Sequence, residues 1–136
     1  MTSSSLALQI AIFEALRTDA GVLAALGGPR VYDHVPRKTD YPYLTFAQTT
    51  VQDWSTGADE GDEHIITLHV WSRVESRTQL QEIIAAVRAA LHDRDLPLIG
   101  HRLINLRYQS AETRREPDGE RFRGIIRLRA VTEPLA

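Results

Sequence analysis

The sequence predicts an α+β domain, a mainly antiparallel sheet of about five strands with two helices packed on one face. Three observations lead there. Apolar residues recur at helical spacing near the N-terminus and again between Leu80 and Leu91. Alternating segments fall in groups between and after these helices. The turns that join them, rich in Gly, Asp and Pro, suit hairpins. The chain of 136 residues fits one domain, and a chain of that size buries roughly two-thirds of its unfolded surface without metal or disulfide.

The first helix is expected to start at an N-cap serine among Ser3, Ser4 and Ser5 and run to about Arg17. Its apolar stripe reads as Leu6, Ile10, Phe13 and Leu16, widened by Ile12. Asp19 caps a short turn, Ala20 to Leu26, which Gly27-Gly28-Pro29 ends. Arg30 to Tyr32 reads as a short strand before a proline-bounded loop, Pro36 to Tyr41. Tyr43 to Thr50 alternates, with Leu44 and Phe46 on one face and Tyr43 and Thr45 on the other. Val51 to Asp62 is polar, with Gly57 and Gly61, and reads as a long hairpin loop or a mobile excursion.

His64 to Ser72 is the clearest strand, with Ile66, Leu68 and Val70 on one face and Ile65, Thr67, His69 and Trp71 on the other. Ser76 and Gln79 form a capping box for the second helix. Its stripe is Leu80, Ile83, Ile84, Val87 and Leu91, and Asp93-Arg94-Asp95 ends it. Arg102 to Gln109 reads as a strand with Leu103 opposite Ile104, Leu106 and Tyr108. A polar loop through Pro117-Asp118-Gly119 leads to the last strand, Glu120 to Val131. There Phe122, Gly124, Ile126, Leu128 and Ala130 share one face, and Arg121, Arg123, Ile125, Arg127 and Arg129 the other. Pro134-Leu135-Ala136 is expected to be a short frayed tail.

Composition narrows the function classes. There is no cysteine, which removes disulfides, thiolate catalysis and cysteine-ligated zinc. Positions 1–5 lack the cationic start of a signal peptide, and Gln9 and Glu14 interrupt the apolar stretch that follows. No apolar run approaches the roughly 20 residues that cross a bilayer. The chain is therefore expected to stay in solution, away from membranes, in the compartment where it is made.

No pattern marks a catalytic or cofactor site. His64 and His69 lie five apart on one strand and so face opposite ways, and no helical histidine pair has metal-binding spacing. The acids Asp53, Asp59, Glu60, Asp62 and Glu63 lack the spacing of a calcium loop and read as a solvated loop. Gly27-Gly28-Pro29 precedes a strand, so it does not cradle phosphate. No nucleophile motif is present, and no carboxylate pair stands out for acid–base work. The expectation is no catalytic residue, no metal and no cofactor.

Charge distribution is more informative than the net charge of −2. Five acids and no base lie between Asp53 and Glu63; from Arg102 to Arg129 there are eight arginines against four acids. Fifteen of the sixteen basic residues are arginine, which fits interfaces, although GC-rich coding gives the same bias. On the last strand Arg121, Arg123, Arg127 and Arg129 project from one face. Such a ladder repels itself unless acids from a neighbouring strand or another subunit face it. Two readings stand: a solvated outer face, or a subunit interface meeting acids such as those of the 53–63 loop. Nucleic-acid readout is disfavoured by the net charge. Trp54, in the acidic loop, is either an interface anchor or a ring folded back over the sheet edge. The candidate interface is thus Asp53, Trp54, Asp59, Glu60, Arg121, Arg123, Arg127 and Arg129.

Several local motifs occur in a defined order. Val31-Tyr32-Asp33-His34-Val35-Pro36 is followed by Tyr41-Pro42-Tyr43 and by Asp53-Trp54. Then come Leu68-His69-Val70-Trp71-Ser72-Arg73, Ala89-Ala90-Leu91-His92 and Pro117-Asp118-Gly119. From about Leu16 to Thr132 the chain resembles the tail-completion, or tail-terminator, proteins of long-tailed phages, prophages and gene transfer agents. The resemblance implies the α+β fold and a subunit without catalytic residues. It implies a self-assembled ring, usually a hexamer, that caps the tail-tube protein and meets a neck or stopper protein. DNA would pass through without sequence-specific contact. The protein would be assembled in the bacterial cytoplasm and end at the tail–neck junction. A different head–tail joining protein of the neck, or a small ligand-binding or hydrolytic domain, are the alternatives.

Overall fold

A computed structural model describes residues 3–73 and 77–135. The elements are α1 (Ser4–Thr18), α2 (Ala20–Leu26), β1 (Val31–Tyr32), β2 (Tyr43–Asp53), β3 (Asp62–Ser72), α3 (Arg77–Leu91), β4 (His101–Arg115) and β5 (Phe122–Pro134). The five strands form one sheet in the order β1-β2-β3-β5-β4. Only the β1–β2 pair is parallel; every other neighbour is antiparallel. The α+β class and the mainly antiparallel sheet are as the sequence predicts. The helix number is not, because the turn at Ala20 is a complete helix and the helical layer holds three.

Local chemistry explains the helix ends. The Ser3 side chain accepts from the Leu6 amide, and Asp19 Oδ2 accepts from the Val22 amide at 3.0 Å. Gly27, at φ 80°, ends α2 in the left-handed conformation that glycine tolerates. Arg30 Nη1 donates to the Leu26 carbonyl at 3.0 Å and the Tyr41 carbonyl at 3.2 Å, joining that helix end to the start of β2. The expected cap Ser76 lies outside the described residues.

The core lies between the helices and one sheet face. Phe46 pairs with Leu68 and Val70 with Gly124, which fixes these residues on a common face. Phe13 of α1 stacks on Phe46, and Ile84 of α3 stands over Gly124, so both helices cover that face. The stripe Leu80, Ile83, Ile84, Val87 and Leu91 of α3 is buried as expected.

The face of α1 differs from expectation. Its buried apolar residues are Ala7, Leu8, Ile12 and Leu16, whereas Leu6 and Ile10 are exposed. The strands are also longer than the alternation suggested. β2 and β3 continue to Asp53 and from Asp62, which shortens their connection to residues 54–61. β4 runs on through the polar stretch to Arg115. A register shift between Leu103 and Asn105 brings Leu103 and Leu106 both into the core and leaves Ile104 outside. The expected alternation of these residues fails for that reason. Leu135 is tied by its amide to the Gly100 carbonyl at 3.2 Å, so the tail does not fray there, and Ala136 lies outside the described residues.

Candidate functional site

The sheet face away from the helices carries the charged residues. Strand alternation places Ile65, Thr67, His69 and Trp71 of β3 there, beside Arg123, Ile125, Arg127 and Arg129 of β5. The arginine ladder is not left bare. Arg129 Nη2 meets Glu63 Oε2 at 2.7 Å and Arg123 Nε meets Glu116 Oε1 at 2.7 Å. Arg127 Nη1 meets Glu112 Oε1 at 3.3 Å and Arg121 Nε meets Asp118 Oδ2 at 2.7 Å. Each acid comes from a neighbouring strand or from the β4–β5 turn. The self-repulsion that a ladder implies is therefore cancelled within the chain.

The pairs differ in character. Arg123 and Glu116 expose 24% and 12% of their side chains, and their contact is a close ion pair rather than an aligned hydrogen bond. Arg127 and Glu112 expose 42% and 41%. The Arg127 hydrogen bond is the main cause of a Glu112 pKa below the ordinary carboxylate range. The Arg121 hydrogen bond, helped by the Arg121 and Glu120 amides, holds Asp118 at about 2.

Aromatic rings fill the spaces between these charges. Arg121 and Arg123 lie over Trp71 at 5.3 and 5.4 Å, and Trp71 stacks on Tyr43 at 6.5 Å. Trp71 Nε1 donates to Thr45 Oγ1 at 3.3 Å, and His69 meets the indole edge-on at 5.9 Å. Burial, then the nearby Arg123 charge, lowers the His69 pKa. Burial and the Tyr41 hydrogen bond push the Tyr43 hydroxyl up to about 12.

The other candidate residues occupy the β2–β3 hairpin end. Asp53 Oδ1 accepts from the Ser55 amide at 3.1 Å and its hydroxyl at 2.6 Å, which lowers the Asp53 pKa. Thr56 donates to the Asp59 carbonyl at 2.8 Å, closing the loop that presents Asp59 and Glu60 beside Arg102 and Glu133. Trp54 is half exposed, with Arg129 5.1 Å from its ring. The structure thus joins Trp54, Arg129 and Glu63 into one cluster, and leaves Arg121 and Arg123 at the far end of the sheet. The sequence places Trp71 on this side of β3, but neither its seat between Arg121 and Arg123 nor the acids Glu112 and Glu116 follow from it. The alternation Glu112-x-Arg114-x-Glu116 was the available signal, obscured because that stretch reads as loop.

Among the described residues no group of three or more histidines and acids is placed to hold a metal, and the surface hollows are wide open. No helix among them is long and apolar enough to cross a membrane.

Comparison with known proteins decides the family. The sequence profile described as tail completion protein gp17 matches residues 10–133. The chain belongs to that family. It also resembles a chain from the virion of a native gene transfer agent (GTA) particle, at 33% identity and a TM-score of 0.88. That match covers 98% of this chain and 99% of the other. No curated protein sequence matches. The chain is accordingly a structural component of phage-like tails.

Proposed function

We propose that the chain is a tail terminator, a non-enzymatic subunit of a ring that caps the tail tube and connects it to the neck. Its partners would be further copies of itself in a ring, usually six, the tail-tube protein and a neck or stopper protein. DNA would pass through the ring without sequence-specific contact, at the tail–neck junction of the particle. The observation that carries this reading is the match along the whole chain to a subunit of a GTA virion, at an identity that extends beyond fold. The paired charges of the sheet face support it secondarily. They give a polar surface with large aromatic and arginine side chains, the composition favoured at protein interfaces.

The test is native mass measurement and negative-stain imaging of the chain with tail-tube protein. Rings seated on tube ends are expected. A chain that stays monomeric and binds neither tube nor neck protein overturns the reading. Binding to the neck protein alone would favour the head–tail joining alternative.

A further inference from the structure

The single sheet has two edges, and each is only half covered. β1 pairs with Leu44 and Thr45 of β2 and no further, so among the described residues no strand lies outside Phe46–Asp53. From Gln48 to Asp53 this strand is exposed on both faces. On the opposite edge the end of α3 covers the first half of β4. The Asp93 amide donates to the Leu106 carbonyl at 2.8 Å, and the Tyr108 amide donates to His92 Nδ1 at 2.9 Å. Beyond Tyr108 no described strand or turn lies along the edge up to Arg115.

Natural sheets blunt such edges with proline, lysine or inward charge. Past the bulge between Phe46 and Thr49, Thr49-Thr50-Val51-Gln52 has none of these, and Val51 is 43% exposed. We infer that the open stretch of β2, Gln48–Asp53, pairs with the open stretch of β4, Gln109–Arg115, of a second copy, joining the sheets of neighbouring subunits. The inference rests on the ring reading above and names the surface that closes it.

Three relations support this occupant. β2 and β4 run in opposite directions, because the directions alternate through β3 and β5. Copies that share one orientation, as cyclic symmetry requires, would therefore meet antiparallel and head to tail. Charge is compatible, since the β2 stretch holds one acid and no base, while the β4 stretch holds Arg114 and Arg115 against Glu112.

The offset is also suitable. Thr50 stands level with Arg107 through Ile65 and Arg129, and Glu112, at the centre of the open β4 stretch, pairs with Ile125, so with the bulge after Tyr108 that stretch lies four ladder positions further along. Four residues span roughly 13 Å, and four strand spacings span about 19 Å, which gives a strand tilt of about 35°. Closed sheets tilt by roughly that amount. The α1 helix is held against the sheet by Phe13 on Phe46 of β2 and by Ser4 Oγ on Asp62 of β3 at 2.7 Å. Its exposed Leu6 and Ile10 would border the same junction.

The chain has no cysteine, which makes the test direct. Val51→Cys is combined in turn with Ala111→Cys and Thr113→Cys. All three positions lie on the helix side of the sheet, through His64, Ile126 and Gly124. They sit on opposite edges, so only an intermolecular bond can form. Oxidation of the chain with tail-tube protein should convert the monomer of a double variant into a covalent ladder, while each single variant stops at dimer. Rings that form at unchanged mass without a ladder for either pair overturn the edge inference alone. Failure of the unaltered chain to form rings on tubes overturns the ring reading, and the edge inference with it.

Discussion

Arg129 reaches from β5 to Glu63 of β3, Nη2 to Oε2 at 2.7 Å, while its guanidinium lies 5.1 Å from the centre of the Trp54 ring. One side chain thus secures both the hairpin strand and the tryptophan of its loop. Glu63→Gln removes the charge opposite a partly buried arginine. The expected loss is about 1–2 kcal/mol, the scale of a hydrogen bond to a charged group. Denaturant melts of the variant measure it, and a fluorescence shift of Trp54 should accompany the loss. Unchanged stability would show that the pair contributes nothing beyond solvated charges.

Two other rungs of the ladder should respond differently to the same substitution. Arg123→Glu sets a carboxylate against Glu116, whose side chain is 12% exposed, and should cost about 3 kcal/mol. Arg127→Glu faces Glu112 at 41% exposure, where solvent screening keeps the effect on stability small. Arg127→Glu is therefore the clean probe of assembly. If the sheet face meets another subunit, this variant stays folded and loses ring formation. Thermal melts and native mass, taken together, separate the two effects.

Stability should fall as pH drops through the histidine range. His64 is fully buried, with Nε2 2.9 Å from Thr132 Oγ1 and no partner at Nδ1. Burial lowers its folded pKa, although Asp62 opposes the shift. The unfolded state then binds the proton more readily. The contribution is complete above the unfolded pKa of about 6.5 and is lost as pH falls through the lower folded value, at up to about 1.4 kcal/mol per pH unit. His64→Gln should flatten that slope in melts taken across the acid range, leaving the part due to His69. An unaltered slope would assign it to other groups.

Gly124 gives a packing test without charge. A Cβ there would lie 3.3 Å from Ile84 Cδ1 and 3.4 Å from Val70 Cβ. Gly124→Ala should destabilise by about 1 kcal/mol, as the α3 contact is pushed outward. Ile84→Val together with Gly124→Ala should recover part of it, because the shortened side chain vacates the crowded space. An increase in stability for Gly124→Ala alone would mean that α3 yields freely.

These residues also show how far the sequence could be read. The faces of β3 and β5 and the stripe of α3 were legible, because each has a single apolar pattern at the right period. The α1 helix has two. Leu6-Ile10-Phe13 and Leu8-Ile12-Leu16 both recur at helical spacing, and only tertiary packing selects the second. In β4 the bulge after Leu103 breaks the period of two, so alternation misplaced the core residues. The ladder itself was visible, but its partners were not. Glu63, Glu112 and Glu116 are distant in sequence and become neighbours only through strand register. That register turned the four arginines from an apparent excess of charge into a set of internal pairs.

The most direct test of the terminator reading is growth of the tail tube itself. Tail-tube protein is polymerised alone and with an excess of this chain, and tube lengths are read by negative stain. Short tubes with a ring of this chain at one end are predicted. Tubes that reach the same length in its presence, with bare ends, would contradict the account.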